Sequence, residues 1–422
     1  MFHARTGVAL GSFALALCLA APSIAQQSDQ LPITALAGKG PKAAKFKPNT
    51  HQNGQAHARF GIPDIDSVAN FNGHFFADGF DTDGNPRREW YTNTMGNPPQ
   101  LGGTTTFNAP IVPVIVDLRN ADGTPRFVNG QRLISDPTQY VQPVLKSPVF
   151  ADATYTSSGT PTQITDAVQR AEYFTSAKAD WHTRLAPSVK PARTMVLKQG
   201  TYRFALNADG TCCAFILVDI NTFVNALFPA VASDTTTPIG AAENAGDITT
   251  KDLSSFLFPN TFLYFNNDPR QCCVLGFHSY DLEPGDAGQK KPEKRYVVDY
   301  SSWISAGLFG DAFTDVTALS HEIAESYNDP FVASDGVHNI TPWWASDNGQ
   351  CQNVLEDGDV IEGLPDATFP MTMNGFTYHP QNEALLQWFE FETPSSALHG
   401  AYSYPNEHVL TSAPVKQLPG CK

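Results

Sequence analysis

Apolar and polar positions along the chain follow two rhythms. Residues 111–118 read Ile-Val-Pro-Val-Ile-Val-Asp-Leu, an almost unbroken apolar run that stops at Asn120-Ala121-Asp122-Gly123. Such a run closed by a turn predicts a buried strand, with Pro113 marking an edge or a bulge. Residues 195–206 and 214–220 predict two strands about a turn at 207–210, followed by a helix over 222–228. Segments 262–265, 273–280 and 296–300 predict a second group of strands. The other rhythm is helical. Ile164, Val168, Ala171, Phe174, Trp181 and Leu185 recur at steps of three, four or seven, which predicts one long amphipathic helix stopped before Pro187. Residues 232–250, rich in Thr, Ala and Gly, read as a surface loop, and 26–60 as an exposed linker. Asp81-Thr82-Asp83-Gly84-Asn85 has the start of a calcium loop without its later ligands, so an Asx-type turn is expected there.

The second helical stretch spans 313–330. Asp315 or Thr314 can cap its start, and Asn328-Asp329-Pro330 ends it. Val316, Leu319, Ile323 and Tyr327 share one stripe, the side expected to face the core. His321 and Glu325 are four apart and lie one above the other on the opposite side, with Glu322 between the two faces. An imidazole and a carboxylate on adjacent turns can share one cation, as the two histidines of His-Glu-x-x-His do.

Composition narrows the classes. The 422 residues carry 27 Lys+Arg against 42 Asp+Glu, a net charge of −15, and only 16% are charged while 11% are aromatic. An apolar share of 41% supports a real core and excludes broad disorder. The acidic balance excludes non-specific nucleic-acid binding, which needs Lys and Arg to displace counterions from phosphates. With 31 Gly and 32 Pro, the chain reads as loop-rich and of α+β class. In so charge-poor a chain, the His321–Glu325 cluster stands out.

The first 25 residues have the form of a bacterial signal peptide: Arg5, an apolar stretch over 8–21, and small residues at Ser23 and Ala25. Cleavage near Ala25 would make the protein secreted or periplasmic. Leu17 before Cys18 argues against a lipid anchor, since a lipobox wants Gly or Ala there. No other stretch is long and apolar enough to span a membrane. Removing this leader takes one base and no acid, moving the charge to −16, and leaves six cysteines. An even count in an exported chain predicts disulfides rather than a thiolate metal site. The doublets Cys212-Cys213 and Cys272-Cys273 invite a brace between their strands, with Cys351 pinned to Cys421. The expected organisation is a leader over 1–25, an N-terminal extension over 26–105 and one main domain over 106–422.

The helix Ala318-Leu319-Ser320-His321-Glu322-Ile323-Ala324-Glu325, ending in Asn328-Asp329-Pro330, resembles the active-site helix of zincin-type metallopeptidases. More closely, it resembles a group of secreted bacterial proteins with a His-Glu-x-x-Glu helix, distantly similar to the plant phosphate-induced/exordium proteins. The similarity extends to Cys272-Cys273-Val274-Leu275-Gly276-Phe277-His278, to Cys351-Gln352-Asn353-Val354-Leu355-Glu356-Asp357-Gly358-Asp359 and to Asn374-Gly375-Phe376-Thr377-Tyr378-His379. The chain departs from the zincin pattern where Glu325 replaces the second histidine, a change that keeps a zinc ligand.

The resemblance implies a zincin-like α+β domain, disulfide-braced, holding Zn2+ with His321, Glu325 and a third ligand. Glu356 is the first candidate and Asp359 the next, ahead of His338 and Asp329; an acidic turn is the competing reading of 355–359. The metal would lower the pKa of a bound water, Glu322 would act as base and then acid, and His379 or Tyr378 would steady the oxyanion. The substrate would be an extracellular or periplasmic peptide or protein. Two other classes stay open: a non-catalytic envelope binding protein keeping a structural metal, and a carbohydrate-active protein using its aromatic surface. No Gly-x-Ser-x-Gly elbow or phosphate-binding glycine loop is present.

Overall fold

A computed structural model describes residues 29–42, 65–80, 86–156, 159–286, 288–332, 355–390 and 392–412, with the strand segments 49–50, 343–345 and 350–352. The leader, the 81–85 turn, His338 and the Cys351–Cys421 pairing lie outside the described residues or side chains.

The frame is a mixed sheet. Gly276–Glu283 runs antiparallel to Glu293–Phe309, which runs parallel to Leu253–Pro259, and that strand runs parallel to Thr104–Arg119. Thr104–Arg119 is sixteen residues long, twice the span of its apolar run. On its outer side it pairs first with His182–Val189 and then with Arg193–Lys198. Pro113 falls in the seam between those partners, Ile111 being the last residue opposite the first and Val114 the first opposite the second. A residue without an N–H is tolerated where no ladder bond is required. Pro113 is therefore internal and marks neither an edge nor a bulge.

Both faces of this sheet are covered, which is why its strands read as apolar runs. Phe107, Ala109 and Ile111 join Leu253, Leu257, Tyr280, Leu282 and Val297 in a core beneath the helix Thr317–Asn328. Val112, Val114, Val116, Phe256, Phe258, Val298 and Tyr300 join the other core, against the helix Ile220–Leu227 and Ile239 of the helix Pro238–Ala245. A smaller four-stranded sheet adds the hairpin of Tyr202–Leu206 and Cys212–Asp219, then Thr261–Tyr264 and Cys272–Val274.

Four expectations are corrected. The long helix ends at Glu172, and His182–Val189 is a strand. Its Thr183 and Leu185 are buried while His182 and Arg184 are less so, an alternation that a partner strand at Thr104–Ile111 rewards. Pro187 is acceptable because this strand pairs on one side only. Residues 195–206 break at Gly200, whose φ of +98° ends one strand before Tyr202 begins the next. The 232–250 segment contains the helix Pro238–Ala245, capped by the Thr237 hydroxyl and begun by Pro238. Finally, each cysteine doublet closes on itself, Cys212 with Cys213 and Cys272 with Cys273. Their strands are separated by Thr261–Tyr264. Two strand spacings, about 9.5 Å, exceed the roughly 7 Å Cα reach of a disulfide.

Parts of the 26–105 stretch are built into the same body. Val68 and Met95 are buried in the core under the Thr317–Asn328 helix, and the Gln169 side chain donates to the Met95 carbonyl. Leu36 is fully buried beside Phe215 and Phe262.

Candidate metal centre

The helix Thr317–Asn328 begins where Asp315, at φ +46°, turns the chain. Asp315 Oδ1 accepts from the Val316 and His379 amides, and its Oδ2 lies 2.7 Å from His379 Nδ1. Thr317 Oγ1 accepts from the Thr314 amide and donates to the His379 carbonyl. The helix stops at Asn328, before Pro330, as the sequence predicts. Val316, Leu319, Ile323 and Tyr327 sit in the core as expected. The opposite side is not solvated: every residue of the helix is buried, His321, Glu322 and Glu325 included.

Two elements close over that polar side. The first is the strand Gly276–Glu283. Tyr280 and Leu282 face the helix-side core while Phe277 faces the other, so the two-residue period sends His278 to the helix side. Gly276 matters for closeness: a Cβ there would lie 2.5 Å from Glu322 Oε1. The second is the segment 355–364, whose Leu355, Val360 and Ile361 anchor in a third core with Trp388, Phe389 and Tyr402. Between these anchors come Glu356, Asp357 and Asp359, with Glu362 following. A Cβ on Gly358 would lie 2.5 Å from His321 Nδ1, so a side chain is excluded there too. Asn328 Nδ2 ties the segment to the helix by donating to Asp357 and to Glu172.

Glu325 is the hub. Its Oε1 lies 3.0 Å from His321 Nε2 and accepts from the Gly358 amide, and its Oε2 lies 3.1 Å from His278 Nδ1. Asp359 Oδ1 is 3.7 Å from His321 Nε2, and Glu356 Oε2 is 3.5 Å from His278 Nδ1. Glu322 stands 3.9 Å from each histidine. Two triads, His321–Glu325–Asp359 and His278–Glu322–Glu325, each bring ligand atoms within 4.8 Å of one another. These two histidines and four acids, with Glu362, line one small cavity of about 20 Å³ free space.

The electrostatics are those of an unbalanced buried cluster. Burial pushes the Glu322, Glu356 and Glu362 carboxyls well above their usual range, with neighbouring carboxylates adding to the rise. Burial would raise Glu325 as well, but His321 and His278 outweigh it and hold this carboxyl well below the usual range. Burial opposes the charging of both imidazoles, yet Glu325 beside them raises them. Among the described residues the cavity sets five carboxylates (Glu322, Glu325, Glu356, Asp359 and Glu362) against two imidazoles and Lys42. Among the described residues the buried atoms His278 Nε2 and Glu362 Oε2 have no hydrogen-bond partner. Buried anions in such excess are costly without further cations. Imidazole nitrogen with carboxylate oxygen is the donor set of zinc and related divalent ions, so the residues fit a metal.

Of the residues selected from sequence, His321, Glu322, Glu325, Glu356 and Asp359 are brought together. Asp329 is buried at the helix end but does not line the cavity. His379 is held by Asp315 and Tyr378 donates to the Pro143 carbonyl, so neither reaches the cavity. His278 and Glu362 are added by the structure. For His278 the signal was a polar residue at a core-facing strand position. The chain matches no protein-family model, no curated protein and no solved structure, so its chemistry is argued from this geometry.

Proposed function

We propose that the protein is an exported, zinc-dependent hydrolase, with peptides as its substrate class, of the zincin-like kind its helix resembles. The observation that carries this reading is the buried His321–Glu325–Asp359 triad with Glu322 at its side. A divalent ion held by these ligands would supply Lewis acidity and lower the pKa of water. Burial keeps the Glu322 carboxyl high against the pull of His321, which suits a group that takes a proton and returns it to a leaving amine. Glu356, the third ligand expected from sequence, lies nearer His278 than the triad's Asp359 does to His321, and serves the same cluster.

The tightness of the cavity favours a second reading, an extracellular binding protein with a structural metal. One experiment separates them. The purified full chain is assayed on a mixed peptide library, with Glu322→Gln alongside. The hydrolase reading expects cleavage by wild type and a loss of about 100-fold or more in the variant, with its melting temperature kept. Metal-bound wild type that cleaves no peptide contradicts the hydrolase and establishes the second reading.

A further inference from the structure

We infer that the cluster holds two divalent cations, bridged by the Glu325 carboxylate; this rests on the metal reading above and extends it. The two oxygens of Glu325 serve different histidines, Oε1 facing His321 and Oε2 facing His278. Among the described residues the two histidines fall in different ligand triads, with Glu325 common to both. A carboxylate shared in this way is the bridge of a paired-metal site, whose ions stand about 3.5–4 Å apart.

The remaining acids divide accordingly. Asp359 lies beside His321 and completes the first set. Glu322 completes the second, and Glu356 Oε2, 3.5 Å from His278 Nδ1, adds a further oxygen donor there. Glu322, 3.9 Å from each histidine, belongs to the second triad and also stands beside the first. Charge argues the same way. Five carboxylates and Lys42 line the cavity; with all five ionised on metal binding, one divalent ion leaves two negative charges in a buried space, whereas a pair cancels them. One further observation points to a ligand. Among the described residues Glu362 Oε2 is buried without a partner, and the Glu362 side chain, nine-tenths buried, places its Oε1 4.0 Å from His321 Nδ1. The mixed nitrogen and oxygen donors suit zinc or manganese.

The test is metal stoichiometry of the full chain, saturated with zinc, desalted and measured by native mass spectrometry. Two zinc ions per chain are expected, falling to one in His278→Ala and one in His321→Ala. One ion in wild type overturns the pair and leaves the single-metal hydrolase standing; none overturns both. Retention of two ions in His278→Ala refutes the assignment of that residue. Because a variant can fail to fold, a second readout uses wild type alone. Manganese-loaded protein should show the exchange-coupled spin-resonance spectrum of a pair, and the pattern of isolated ions would refute the bridge.

Discussion

Two kinds of buried acid–histidine group occur in this molecule. Asp166 and Asp315 are as buried as Glu322, yet every oxygen is used. Asp166 Oδ1 accepts from the Thr183 amide, and its Oδ2 takes the Thr162 hydroxyl and faces His182. Asp315 is closed in the same manner by Val316 and His379. One acid meets one histidine, and backbone amides with the Thr162 hydroxyl fill what is left. At the Thr317–Asn328 helix, two histidines meet five carboxylates, and buried atoms are left over. A protein can close its own polar groups, as the first kind shows. At the helix cluster the described residues leave some of them open, and the proposed divalent metal would supply the positive partner.

The largest expected difference between the two kinds is in metal-linked stability. Glu325→Ala should remove the part of the stability that depends on divalent ions, about 3–4 kcal/mol at metal concentrations far above the dissociation constant. Asp315→Asn should cost about 1–3 kcal/mol, the price of an unsatisfied buried group, with the metal-dependent part intact. Denaturant unfolding of both variants with and without chelator measures this. Equal metal dependence in the two variants would erase the distinction.

A smaller effect is expected from pH. Burial pushes Asp299 and Asp357 up to about 7 from an ordinary 3.8. A raised acid stabilises the fold in its neutral form, so this contribution is full below about pH 4 and lost as pH rises through about 7. Glu325, held low, contributes with the opposite sign and is lost only in acid. The chelated chain should therefore lose melting temperature between about pH 4 and 7, and the metal-loaded chain should lose less. A chelated chain that gains stability over that range contradicts the account.

The site helix was readable because two signals coincide on it: an apolar stripe at helical spacing, and a His–Glu pair on the other side in a charge-poor chain. The acidic segment at 355–359 was readable as a source of ligands, but its partners, and the addition of Glu362, were not, since they depend on where Leu355, Val360 and Ile361 anchor. His278 carries no local spacing; its role appears only when the strand's parity and the helix are placed together. Elsewhere, helical spacing misled at Trp181 and Leu185. Residues 183 and 185 also satisfy a strand's alternation, and the partner at Thr104–Ile111 decided between the two. At Pro238–Ala245 the Thr237-Pro238 start signal was present, but its Ala- and Gly-rich surroundings read as loop. The cysteine doublets were paired with the wrong partners because sequence gives no strand order.

On the metal reading, divalent cations complete the buried polar side of the Thr317–Asn328 helix. The most direct test of that reading is the thermal unfolding of the purified full chain, with bound metal quantified, before and after exhaustive chelation. Metal is expected in the untreated protein, with a fall of about 4–5 °C on its removal, reversed by adding zinc. A chain that carries no divalent metal and melts at the same temperature with chelator as with zinc would contradict the metal reading.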